Sequence, residues 1–371
     1  MKKAPILWTN VFVFLSTFLI ALIGVPLYGY YYGYGIEHLV ATILTLGFAG
    51  MSITVGYHRL WSHKTYEAHP ALQFILALGG AFALQNSALH WSSDHRVHHK
   101  FVDQNDKDPY SAKKGFWFSH IGWMLRDYQG QNYGNYDNCR DLQKNKIVMW
   151  QHKHYLLLAI LTNFGIPIAL GLIFNDLLGM LLTVGVLRLV LSHHCTFFIN
   201  SLAHIWGTQP YTDKNTAKDN GLLAFLTYGE GYHNYHHIFE SDYRNGIRWF
   251  QFDPSKWFIK FCSFIGLTKN LRTVPFEKIQ AAKWKMQKFR KESQLLNLAN
   301  GQELIKTVER EYEQLVERLK LLVAAQREYL SAKKRNAPKV TIEELKISYQ
   351  QLKTQLAEQQ RLWQQTLLKV A

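Results

Sequence analysis

Seventeen histidines occur in 371 residues, and eight of them fall in three short strings. These are HRLWSH, with His58 and His63; HRVHH, with His95, His98 and His99; and HNYHH, with His233, His236 and His237. A lone histidine is more often a structural imidazole than a ligand. Three strings, two of them repeating HxxHH, point to metal. On a helix, positions i, i+3 and i+4 share a face, so each HxxHH is expected to aim three imidazoles at one place. His58 and His63 are five apart, roughly 140° round a helix at about 100° per residue. A helix carrying both is expected to fray there. Eight imidazoles exceed the ligands that close one zinc site, so two ions are implied. Imidazole nitrogen suits iron, zinc, copper or nickel. Asp94 and Glu230, shortly ahead of His95 and His233, are expected behind the ligands, orienting their rings.

The elements that must hold these strings are apolar. The runs 6–27, 39–55, 155–174 and 177–199 approach the roughly 20 residues that a helix needs to cross hydrocarbon. YGYYYGYGIEH joins the first two and ND the last two, which predicts two hairpins. The run 70–89 carries Gln85 and Asn86 and reads as an interfacial helix. Lys2 and Lys3 precede the first run, twelve Lys and Arg lie within 58–154, and the hairpin links hold none. That asymmetry puts both termini and all three strings on the cytoplasmic side. The expected fold class is an all-α integral membrane protein. Its four transmembrane helices form two hairpins, with a cytoplasmic helical cap holding a histidine-rich dinuclear site. Arg188 lies inside the fourth run and needs a partner there.

The net charge of +15 suits an anionic membrane surface; no nucleic-acid motif accompanies it. Three scattered cysteines without CxxC give no disulfide framework. Residues 1–276 form the expected membrane domain and 277–371 an extension. Ile305, Val308, Tyr312, Leu315, Leu319 and Leu322 follow a heptad rhythm, as do Ile342, Leu345, Tyr349, Leu352, Leu356 and Trp363. They predict an antiparallel coiled-coil hairpin, which would serve as a stabilising or self-associating arm, or else as a donor-docking or regulatory one.

From Thr54 to about Lys260 the chain resembles membrane fatty-acyl desaturases, in particular the acyl-CoA Δ9 (stearoyl-CoA-like) branch. The strings that carry the resemblance are TVGYHRLWSHKTYEAHP, DHRVHHKFVDQNDKDPY, FWFSHIGWML, FINSLAHIWG, GEGYHNYHHIFESDYR and FDPSKWFI. The resemblance implies a cis double bond made with O2 by two irons held on nine histidines, with no further catalytic side chain; zinc can replace iron in a preparation. The ninth ligand is then His204, in NSLAH, and Asn200 reaches one iron through water. Gln85, Asn86, Trp91 and Thr196 match positions along the acyl path, and Phe197 stands where animal enzymes carry Trp. The closed end of that path falls near Leu46 and Gly50, where the second run has no bulky aromatic. The implied substrate is an acyl-CoA or acyl-lipid in the bacterial inner membrane or the ER membrane. The resemblance also implies electrons from a separate ferredoxin, or from cytochrome b5 with its reductase. The chain has no GxGxxG for flavin or NAD, and HPAL at 69–72 is not the HPGG of a fused haem domain. A di-iron hydroxylase or alkane monooxygenase, and a zinc lipid hydrolase, are the alternatives that the ligand types leave open.

Overall fold

The computed structural model describes residues 4–130 and 133–369. The chain divides into two compact units, 1–209 with 214–273, and 274–371 with 210–213.

In the first unit, α1 (Trp8–Tyr31) and α2 (Ile36–Ser62) form one hairpin. Helices α3 (Pro70–Phe82) and α4 (Ala88–Phe101) follow. A second hairpin, α5 (Tyr155–Phe174) and α6 (Leu177–Ile205), leads to the short α7 (His233–Ile238) and to α8 (Pro254–Phe264). Helices α1, α2, α5 and α6 are long and apolar enough to cross a membrane. Each contains a stretch of wide, i→i+5 hydrogen-bonded turns: Ile20–Gly24, Ser52–Ser62, Leu161–Gly165 and Leu181–Leu187.

The expected fraying at His58 does not occur. Helix α2 continues to Ser62 by widening. The His63 amide donates to the His58 carbonyl at 3.1 Å, and the Ser62 hydroxyl donates to Tyr57 O at 2.8 Å, again five residues back. An i→i+5 ladder stacks residues five apart, so His58 and His63 come onto one side of the helix.

The run 70–89 is not one helix. Helix α3 ends at Phe82, and the chain turns through Leu84 (φ 52°) and Asn86 (φ 71°). It restarts at α4, where Ser87 Oγ accepts from the His90 amide at 3.3 Å. A side chain at Gly79 or Gly80 would collide with Ser52 or Tyr57, so these glycines let α3 lie directly on the wide segment of α2. Arg188 of α6 is fully buried and has no carboxylate partner among the described residues. It donates to Phe82 O (2.8 Å), Asn163 Oδ1 (2.8 Å) and Val184 O (2.9 Å), and its guanidinium lies 3.7 Å from the Phe82 ring centroid. The intramembrane cation thus ties α6 to α5 and α3. Two short antiparallel strands, Glu67–Ala68 and Thr268–Lys269, pair 67 with 269 and 68 with 268. They clip the segment after His63 to the chain after α8.

In the second unit, α10 (Gly301–Lys334) and α11 (Lys339–Lys369) form the heptad hairpin, and a third helix, α9 (Phe276–Leu295), joins it. Trp284 and Leu295 of α9 complete a core with Val308, Leu315, Leu319, Leu356 and Trp363. Trp363 Nε1 donates to Gln287 Oε1 at 2.9 Å. The heptad pattern showed the seam between α10 and α11 but not this third partner.

Candidate metal centre

The nine histidines converge as two groups. His58, His63, His95, His99 and His236 form one; His98, His204, His233 and His237 form the other, with ligand atoms within 4.8 Å of one another in each. Helix α2 brings His58 and His63; α4 brings His95, His98 and His99; α6 brings His204; α7 brings the last three. The expectation that each HxxHH serves one place is corrected. Both strings divide, because neighbouring helical residues point about 100° apart. His98 leaves His95 and His99 for the second group, and His236 parts from His233 and His237. The rings of His99 and His237 stack across the divide, with centroids 4.3 Å apart.

The Nε2 atoms face inward. In the first group they lie 2.8 Å apart (His63–His95), 3.0 Å (His58–His236) and 3.0 Å (His99–His236). In the second they lie 3.1 Å apart (His204–His233), 3.0 Å (His233–His237) and 3.4 Å (His98–His237). Two nitrogens bound to one ion at ~2.1 Å and at right angles would be about 3.0 Å apart.

The outward nitrogens have acidic or hydroxyl partners that favour one tautomer. His58 Nδ1 meets Glu230 Oε2 at 2.9 Å, His98 Nδ1 meets Asp108 Oδ1 at 2.9 Å, and His99 Nδ1 meets Glu240 Oε2 at 3.0 Å. His204 Nδ1 lies 2.8 Å from Thr216 Oγ1, whose hydroxyl donates onward to Asp103. A carboxylate accepts, so these contacts favour the tautomer with hydrogen on Nδ1 and the Nε2 lone pair free for a metal. Lone pairs gathered at about 3 Å repel unless a cation lies among them. The donor set therefore fits two metal ions, and the carboxylates behind it set the tautomers.

Glu230 is itself held in a buried network. Arg59 donates to Glu230 Oε1 through Nε (3.1 Å) and Nη2 (2.9 Å), to Asp253 Oδ2 through Nη1 (3.2 Å), and to Tyr243 O (2.8 Å). Asn245 Nδ2 also donates to Glu230 Oε2, at 2.6 Å. Burial pushes the Glu230 carboxyl up, but His58 and Arg59 outweigh it and hold it below the usual range.

Burial first, then the neighbouring imidazoles, hold His63, His95, His233, His236 and His237 well below the ordinary histidine range. Burial takes His99 down to about 4, although Glu240 pulls it upward. An unfolded chain, with histidines near 6.5, binds protons that the folded cage refuses, so stability rises with pH across that interval. Acidification from about pH 7.5 to about 5 is expected to lower the melting midpoint of the metal-free protein and to strip metal from the loaded one. Melting curves and metal analysis across the range check this; a flat midpoint contradicts it.

With this geometry in view, the fatty acid desaturase family model matches residues 34–260, 227 of the chain's 371 and all nine histidines. The chain belongs to the fatty acid desaturase family. It is 46% identical over 65% of its length to a probable acyl-CoA desaturase of Schizosaccharomyces pombe, and 40% identical over 70% to acyl-CoA desaturase 1 of Saccharomyces cerevisiae. The chain spans about half the length of these fungal relatives, 50% and 52%. An acyl-CoA Delta-9 desaturase of Acheta domesticus is 37% identical, over 75% of this chain and 78% of its own.

The remaining expected residues of this desaturase-family chain fall around the cage. Trp91 stacks on His95, with centroids 4.9 Å apart and planes at 22°. Gln85 Nε2 donates to Thr196 Oγ1 at 2.8 Å. The Asn86 amide donates to the Tyr155 hydroxyl at 2.8 Å. Phe197 is buried and packs on His193 and Phe14. Asn200 is half-buried on α6, one turn before His204. Leu46 and Gly50 do have an aromatic neighbour. Tyr228, ahead of Glu230 in the chain, lays its ring on Gly50, where a Cβ would collide with it, and donates to Leu46 O at 3.2 Å.

Asp94 is a correction. It approaches His90 at 3.4 Å and accepts from Gln129, and supports no ligand histidine, because the residue before His95 faces another way round the helix. Tyr110 meets His95 Nδ1 instead, at 3.2 Å, and Asp108, Thr216 and Glu240 serve His98, His204 and His99. Glu240 follows His237 by three residues, and Asp108 and Tyr110 follow HRVHH in DKDPY, whereas Thr216 lies apart from all three strings.

Proposed function

We propose that the protein is an O2-dependent acyl-CoA desaturase that places a cis double bond, at Δ9, in a saturated acyl chain at a di-iron centre. The observation that carries this reading is the division of nine imidazoles into groups of five and four with their Nε2 atoms inward, and with carboxylates or a hydroxyl beside Nδ1 of His58, His98, His99 and His204. The acyl-CoA and Δ9 names of the relatives support the substrate and position. The sorting of Lys and Arg supports a cytoplasmic cage and termini.

Iron bound in both groups would supply the redox chemistry that takes hydrogen from unactivated methylenes at the expense of O2. Each double bond then converts one O2 and two carbon-bound hydrogens to two waters, drawing two electrons and two protons from outside the acyl chain. The chain's own residues position and enclose. Glu230, Asp108, Glu240 and Thr216 hold ring protons on Nδ1. Trp91 braces His95. Gln85, Asn86 and Thr196 line the acyl path, Asn200 would hold a water beside one metal, and Tyr228 on Gly50 limits the chain's depth near Leu46. The electrons come from a separate ferredoxin or cytochrome b5.

Expression in a desaturase-deficient host, with fatty-acid double-bond mapping, tests this reading. The expected result is a new monounsaturated acid with its double bond at carbon 9. A hydroxy acid in its place selects the hydroxylase alternative. Unchanged lipids, with iron bound and a competent donor present, overturn the reading.

A further inference from the structure

Charge is segregated beside the metal cage. Helix α4 carries His98 and His99, one ligand for each group, in its last turns, and the chain runs on through Lys100 into a loop that reaches Lys114. Two of the loop's three aspartates turn inward: Asp108 to His98, and Asp103 to Thr216, on both of its oxygens. Lys100, Lys107, Lys113 and Lys114 are exposed, against the single exposed acid Asp106. Among the described residues none of the four has a carboxylate partner. Lys100 and Lys107 lie over the Phe101 ring, each 5.1 Å from its centroid.

Beside this loop the cage reaches solvent. Glu240 is 56% exposed, with Oε2 at 3.0 Å from His99 Nδ1 and 3.9 Å from His63 Nδ1. The other groups on ligand Nδ1 atoms, Glu230, Asp108, Tyr110 and Thr216, are buried or half-buried. A charge brought to Glu240 is one side chain from two ligands of the five-histidine group.

We propose that the lysine loop, with Glu240 at its edge, is the docking face for a small acidic one-electron carrier protein, and that electrons enter the five-histidine group there. The need for electrons rests on the desaturase reading; the docking itself does not. Unpaired lysines steer an acidic partner and orient it on arrival. Each docked carrier gives up one electron and leaves oxidised. Two visits serve one double bond, with O2 the final acceptor. The lysines exchange no electrons themselves.

The test uses the full chain in neutral-lipid nanodiscs, with oxidised ferredoxin and the soluble haem domain of cytochrome b5 as probes. Binding of at least one carrier is expected by calorimetry, weakening as salt is raised. The variant Lys100→Glu/Lys107→Glu/Lys113→Glu/Lys114→Glu is expected to bind at least about tenfold more weakly. Its KM for reduced carrier should rise alike, while product from one dithionite-driven turnover stays at the wild-type level. Equal carrier affinity in the two proteins overturns the proposal, as does loss of binding to anionic vesicles with carrier binding intact. Absence of product from dithionite-reduced wild type counts against the desaturase reading alone, because binding is read without turnover.

Discussion

Arg59→Met should cost about 3–5 kcal/mol, the usual penalty for removing one partner from a buried ion network. Arg59, Glu230 and Asp253 are each at most 2% exposed, so no water replaces the guanidinium. The change leaves two carboxylates facing each other in the interior. One of them, Glu230, orients His58. The variant is therefore expected to melt far below the wild type in detergent and to lose metal from the five-histidine group first. Arg59→Met with Glu230→Gln should be damaged by less than the two single changes together, because they share one network. An unchanged melting curve for Arg59→Met would show that the network contributes no stability.

The second large effect belongs to His204. His204→Ala removes one of four nitrogens from the second group, the one whose proton rests on Thr216. Bound metal should fall from two ions per chain towards one. Product should fall by more than the roughly 10- to 100-fold typical of losing a residue behind the ligands. Membrane extraction and gel-filtration behaviour should not change, since the helix that carries it is anchored elsewhere by Arg188. Metal analysis and product assay on the same preparation decide it. Full activity would remove His204 from the ligand set.

The spans and eight of the nine histidines were legible in the sequence because their signals are local. A run of apolar residues marks a span by length alone, and HxxHH repeats within five residues. His204 needed the resemblance, since a single histidine in NSLAH has no spacing to distinguish it. The division into five and four was not legible. It depends on the azimuth of His98 against His99 and on where α2, α4, α6 and α7 meet. Asp94 adjoins His95 in sequence but faces His90 and Gln129 in space. Glu240 follows the last histidine string but serves His99 of another, Thr216 lies apart from all three strings, and Tyr228 crosses from the α7 approach to α2. Such partners appear only when tertiary packing brings them together.

The wide segment Ser52–Ser62 limits how far this chemistry can be transplanted. The HxxxxH pair on α2 works because one helical stretch has been wound more loosely than its neighbours, with α3 pressed against it through Gly79 and Gly80. Copied onto a regular designed helix, the same two histidines would diverge and could not share an ion. A grafted centre would have to bring the loose winding and its glycine-faced neighbour along, so the smallest portable unit is a pair of packed helices rather than a string of ligands.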